Sequence, residues 1–200
     1  MKSRRYSLVL GIILLLIALS LTPLLAKRSS SASLVHLANI GKVPTFTLQD
    51  QADQPYSLDN LTGKVWVADF FLTSCQGACP IMSSNLAKLQ TAFKDDDRIR
   101  FVSFSVDPET DTPSVLAEYS KQHTPDPSQW KFLTGPIAEI HRMAGVEGLK
   151  VGVPETPMAH SQRFVLIDSD ANIRGYYDGM DEAEVARCET DARLLLAESP

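Results

Sequence analysis

A mixed β-sheet with helices on both faces, preceded by one transmembrane helix, is the architecture this sequence predicts. Three observations carry it. A long charge-free apolar run lies near the N-terminus. The stretch KVWVADFFLT (64–73) is almost continuously apolar, as a strand buried on both faces must be. Strand-like and helix-like segments then alternate and close with a hairpin and a final helix, the order of an α/β layer. The 200 residues suffice for one ordinary domain and a short extra segment.

The elements follow in order. Tyr6 to Ala26, YSLVLGIILLLIALSLTPLLA, holds no charge. At about 1.5 Å per residue it crosses roughly the 30 Å of a bilayer's hydrocarbon layer. It has no polar face, unlike a helix of a globular core. Lys2, Arg4 and Arg5 precede it and Lys27 and Arg28 follow. The basic count favours a cytoplasmic N-terminus and an exported main body. The run exceeds a signal-peptide core and Leu24-Leu25-Ala26 is a poor cleavage site, so an uncleaved anchor is expected rather than a cleaved signal. No cysteine follows the run, which excludes a lipoprotein anchor. No long Arg- and Ser-rich presequence is seen, which points to a bacterial inner membrane, a single pass and a periplasmic domain. Residues 1–33 are therefore read as anchor plus the polar linker KRSSSAS, and 34–200 as the exported domain.

Within that domain Thr45–Leu48 reads as a strand, 50–53 as a turn and 64–73 as the buried strand. Ile81, Leu86, Leu89 and Phe93 form a helical stripe over 81–93. Arg98–Val106 is the next strand. Thr112 and Pro113 supply an N-cap and an N1 proline for a helix to about Gln122. Trp130–Leu133 is strand-like and Ile137–Ala144 a short helix. Gln162–Asp168 and Ile173–Tyr177 make a hairpin around 168–172, and a helix runs from about Asp181 to Ala197. A thioredoxin-like layer fits this order.

Net charge is −5, unevenly spread. Residues 1–33 carry five basic residues and no acid, leaving 14 basic and 24 acidic residues, or −10, in the remainder. That domain has no electrostatic footprint for a phosphate backbone, so nucleic acid is not an expected partner.

The chemistry concentrates at Cys75-Gln76-Gly77-Ala78-Cys79-Pro80, where the most buried strand ends and a helix begins. Such a junction is where α/β folds place sites, and a helix N-terminus lowers a thiol's pKa. The C-x-x-x-C spacing can bring two sulfurs together as a disulfide or around one soft metal ion. Gly77 supplies backbone freedom for a tight loop, and Pro80 fixes φ at the start of the helix. The competing reading, two cysteines as small core hydrophobes, fits poorly with the polar Thr73, Ser74 and Gln76 around them. Two thiolates leave a metal under-coordinated, so a third ligand is sought among four histidines. His36 and His123 read as solvated and His141 as a surface or core residue. His160 follows the loop GVPETPMA and directly precedes the strand SQRFVLID. Zinc remains open on ligand chemistry alone. Cys188 falls on the stripe Val185, Cys188, Ala192, Leu195 and reads as core.

Thr73-x-Cys75-x3-Cys79-Pro80 after an apolar strand, then Ser105-Val106-Asp107-Pro108-Glu109-x-Asp111-Thr112-Pro113, resembles the Sco/SenC copper-chaperone family. Leu133-Thr134-Gly135, His160 before a strand and Asp168-x4-Ile173 extend the likeness over roughly Val43 to Gly179. The resemblance implies a thioredoxin-like fold in which Cys75, Cys79 and His160 bind copper, as Cu(I) or Cu(II). It also implies a role in building the binuclear copper site of cytochrome c oxidase subunit II, with Asp107 as a nearby carboxylate that orients the site. Many members carry an Asp directly before the ligand histidine, where this chain has Ala159. The alternative activity for the same residues is thiol–disulfide exchange, with Cys75 and Cys79 as the redox pair reducing target cysteines without carrying metal. A peroxidase is disfavoured because Thr73-Ser74-Cys75 lacks the T-x-x-C spacing.

Overall fold

Every residue of the strand Val65–Phe71 (β4) is buried, and the rest of the sheet is laid out around it. The structure is a computed structural model that describes residues 37–124, 126–152 and 161–198. The expected anchor 6–26, the linker, His36 and His160 lie outside the described residues. Among the described residues no helix is long and apolar enough to cross a membrane. The chain divides into units 1–38 and 39–200, and the second holds the sheet and its helices.

Its strands are β1 (Gly41–Lys42), β2 (Thr47–Asp50), β3 (Pro55–Ser57), β4, β5 (Ile99–Ser105), β6 (Trp130–Thr134), β7 (Arg163–Ile167) and β8 (Asn172–Asp178). The helices are α1 (Ala78–Ala92), α2 (Pro113–His123), α3 (Ile137–Ala144) and α4 (Glu182–Glu198), with a 3-10 turn at Leu58–Leu61. One eight-stranded sheet runs in the order β1-β8-β7-β4-β5-β6-β2-β3. β4, β5 and β6 are parallel, in register from Val65↔Ile99 to Phe71↔Ser105 and from Phe101↔Trp130 onward. The other pairings are antiparallel. Parallel neighbours need a crossover, which α1 and α2 provide.

Alternation along β4 separates two cores. Trp66, Ala68 and Phe70 join Val102, Phe104, Val165 and Ile167 in a cluster closed by Ile140 and Met143 of α3. The opposite face carries Phe71 against Tyr119 of α2, ring centroids 5.2 Å apart, and α1 packs against both α2 and α4. The mixed sheet with helices on both faces is therefore as expected.

Three departures have physical causes. β1, β3 and the 3-10 turn are too short to carry a periodicity of their own. The second strand lies at Thr47–Asp50 rather than at 45–48, because Asp50 can be buried as its last residue. The Asp50 carboxylate accepts the Ala52 and Gln54 N–H groups and pairs with Lys131 at 3.1 Å. Finally, α1 begins at Ala78, three residues before the apolar stripe over 81–93 starts.

Candidate metal centre

The parallel register brings the C-terminal ends of β4, β5 and β6 to one edge, where the cysteine turn and the loop through Asp107 meet. After β4 the chain turns at once, with the Cys75 N–H donating to the Leu72 carbonyl at 3.3 Å. Starting α1 at Ala78 puts Cys79 in its first turn, where it is 1% exposed, while Cys75 ahead of the helix is half-buried. Pro80 is then the third helical residue rather than the first. Its missing N–H still costs nothing, since first-turn N–H groups have no intrahelical partner. Gly77 has φ −110°, and a Cβ there would meet nothing within 4 Å, so positive φ and close approach are not what the turn draws from it.

The two thiols share a hydrogen bond but differ sharply. Burial pushes the Cys75 thiol up, yet hydrogen bonds to its sulfur from the Cys79, Gly77 and Ala78 backbone and the Cys79 side chain outweigh this and lower its pKa. Burial pushes Cys79 up to about 12, offset in part by the Leu72 backbone and reinforced by Cys75 and Asp69. An accessible, acidified thiol in front of a buried one can open or close a disulfide, or present two soft donors to one metal.

Asp107 lies beyond the end of β5, half-buried. Its N–H donates to Ser105 Oγ at 3.1 Å, and its carbonyl accepts from Thr110 and Asp111. A groove of about 400 Å³ passes it, also lined by Pro108, Glu109, Ile137 and His141. Among the described residues no three His, Cys, Asp or Glu side chains form a group that could hold a metal ion, so Asp107 does not complete a site with the cysteines.

The remaining histidines and cysteine sort as follows. His141 is exposed, the surface half of its reading. His123 is not simply solvated. Its ring packs against Tyr119 at a tilt of 33°, centroids 4.2 Å apart, and burial lowers its pKa. Cys188 is fully buried, as its stripe predicts, and burial raises its thiol.

Two carboxylates at this end of the sheet were given no role by the sequence reading, Asp69 unmentioned and Asp111 named only as part of a motif. Asp69, 1% exposed on β4, is pushed up to about 7 by burial, partly offset by the hydroxyl of Ser103 donating at 2.5 Å. Trp130 Nε1 donates in turn to that Ser103 oxygen at 2.9 Å. An acid inside an apolar run was the available signal. Asp111, fully buried, bridges the cysteine turn to the end of β5. Its signal was the acid set between polar neighbours in PETDTP.

Known proteins resemble this chain along most of the domain. The family model described as SCO1/SenC matches residues 38–194. A Stutzerimonas stutzeri protein named a putative copper-binding protein is 27% identical over 177 residues, 83% of this chain and 85% of its own. The crystal structure of a SCO1/SenC family lipoprotein from Bacillus anthracis str. Ames is similar at 35% identity and TM-score 0.70, covering 78% of this chain and 95% of that one. The structure of BsSco, described as a member of the Sco family of cytochrome c oxidase assembly proteins with a disulfide switch, is similar at 32% identity and TM-score 0.63, covering 76% and 94%. A family match spanning the sheet, the cysteine turn and the β5 loop makes this chain a member of the SCO1/SenC family.

Proposed function

We propose that this protein is a membrane-anchored copper metallochaperone that matures the binuclear copper site of cytochrome c oxidase subunit II. Cys75, Cys79 and His160 are the copper ligands in this reading, and Asp107 orients or tunes the site. The observation that carries it is the cysteine pair at the N-terminus of α1, one thiol acidified and half-buried, the other buried behind it. Two thiolates suit Cu(I), and an imidazole adds competence for Cu(II). Three ligands leave room for a target thiolate to enter, so cargo can leave by ligand exchange. Copper is also what the Stutzerimonas relative is named for, and oxidase assembly is what BsSco is described as serving. In this reading residues 6–26 hold the chain in a bacterial inner membrane with residues 34–200 in the periplasm.

The unequal thiols also favour a second reading. The Cys75 thiolate can attack a target disulfide, and Cys79 can then resolve the mixed disulfide. The pair becomes a disulfide as it gives two electrons to the target, which leaves as a dithiol.

An anaerobic copper titration of the reduced full-length chain in mild detergent tests the first reading, by elemental analysis and optical spectra. Its expected result is one copper per chain, with sulfur-to-copper charge-transfer bands that disappear in His160→Ala and in Cys79→Ser. Copper binding by Cys75→Ser equal to the parent's would overturn the metal assignment. Thiol–disulfide exchange that survives His160→Ala while copper retention is lost would show that the two activities share the cysteines and part at the histidine.

A further inference from the structure

The Asp111 carboxylate is completely buried, and its hydrogen bonds reach both the nearby end of β5 and the distant turn that leaves β4. Oδ2 accepts the Thr73 backbone N–H at 3.1 Å and the Ser105 hydroxyl at 2.5 Å, and Oδ1 accepts the Thr73 hydroxyl. Thr73 stands two residues before Cys75, in the turn that leaves β4. Ser105 ends β5, and its oxygen accepts the Asp107 N–H at 3.1 Å. The Asp111 N–H itself donates to the Asp107 carbonyl at 2.8 Å. One side chain therefore ties together the only two segments of the described site that carry its cysteines and its carboxylate. Three acceptor bonds to a buried carboxylate also make the arrangement stiff, because breaking any of them strands a polar group away from water.

We propose that Asp111 is a positioning residue of the metal site, its buried carboxylate fixing the Cys75 turn relative to Asp107 through Thr73 and Ser105. The hydrogen bonds of the Asp111 carboxylate go to Thr73 and Ser105, and it acts through these two hydroxyl residues. The inference rests on the copper reading above for its consequence, but the coupling of the two loops is a property of the metal-free chain as well.

Asp111→Ala would strand three donors and can unfold the protein, so the deciding variants lie at its partners. Thr73→Val keeps the side-chain shape and removes the hydroxyl donor, Thr73→Ser restores the donor, and Ser105→Ala removes the link toward Asp107. Three quantities are read on the full-length chain: the rate of copper loss to a Cu(I) chelator, the equilibrium of the Cys75–Cys79 disulfide against dithiothreitol without metal, and the thermal midpoint. Thr73→Val and Ser105→Ala are expected to lose copper about tenfold faster, the lower end of what orienting contacts behind metal ligands are worth. Thr73→Val also moves the disulfide equilibrium by roughly three- to tenfold, the equivalent of one hydrogen bond, and Thr73→Ser restores both values. A lower thermal midpoint with copper loss and disulfide equilibrium unchanged would make Asp111 a purely structural residue and overturn the proposal. A parent chain that retains no copper, but whose disulfide equilibrium still moves in Thr73→Val and returns in Thr73→Ser, would sustain the positioning role and sink the copper reading instead.

Discussion

Burial sets the chemistry of single residues at the cysteine end of the sheet, and Asp69 shows it most plainly. Its carboxyl is walled in on β4 and titrates near 7 in the fold, against 3.8 for an ordinary aspartate. Between those values the folded chain binds a proton that the unfolded chain has released, so this group's contribution favours folding most below about pH 4. The contribution falls as pH rises toward 7 and is flat above it. Asn in its place can still accept from the Ser103 hydroxyl and has no proton to lose. Asp69→Asn is therefore expected to flatten the decline in stability between pH 4 and pH 7, by on the order of 2 to 4 kcal/mol. Urea midpoints of parent and variant at pH 4.5 and pH 8 would check this, and parallel pH profiles for the two would refute it. Sequence reading could not reach Asp69, because an acid in an apolar run looks like a tolerated exception until its partner Ser103 on β5 is known. It did reach Cys75 and Cys79, because both lie on one turn and their chemistry depends on local spacing.

Elements were legible in proportion to how much of their stability is local. β4 announces itself by an unbroken apolar run, and α2 by Thr112-Pro113 followed by its helical stretch. β1 and β3 have no such mark, since their hydrogen bonds go to partners fixed elsewhere, Gly41 and Lys42 to β8 and Pro55 to Ser57 to β2. The start of α1 was read late because its first turn is Ala-Cys-Pro, which has no amphipathic signature. α2 shows the difference between a position and an interaction. Thr112 does occupy the N-cap with Pro113 next to it, but its side chain makes no capping hydrogen bond and instead shares one at 3.0 Å with the Ser114 hydroxyl on the surface. A Thr cap that bonds the backbone is worth about 1 kcal/mol. Thr112→Ala should then cost less than about 0.5 kcal/mol. A loss near 1 kcal/mol or more in urea unfolding would mean that the hydroxyl caps the helix in solution after all.

At the scale of the whole molecule, charge and apolar surface are segregated along the chain. Five basic residues flank the uncharged run 6–26, whereas residues 34–200 carry a net −10. The unit 39–200 contains its own two-sided core, built on β4 and closed by α3 on one face and by α1, α2 and α4 on the other. The uncharged run 6–26 has the length and flanks of the membrane span proposed above, outside that unit in the sequence. A chain begun at residue 34 should accordingly fold, remain in the soluble fraction and bind copper with the spectrum of the full-length protein. The full-length protein should sediment with membranes and resist extraction by alkaline carbonate while yielding to detergent. In the proposed orientation, with Arg4 and Arg5 in the cytoplasm, protease added outside spheroplasts should digest the domain. Release of the full-length protein by carbonate would make the run a cleaved or peripheral segment. A truncated chain that aggregates would instead show that residues before 34 help to cover the domain.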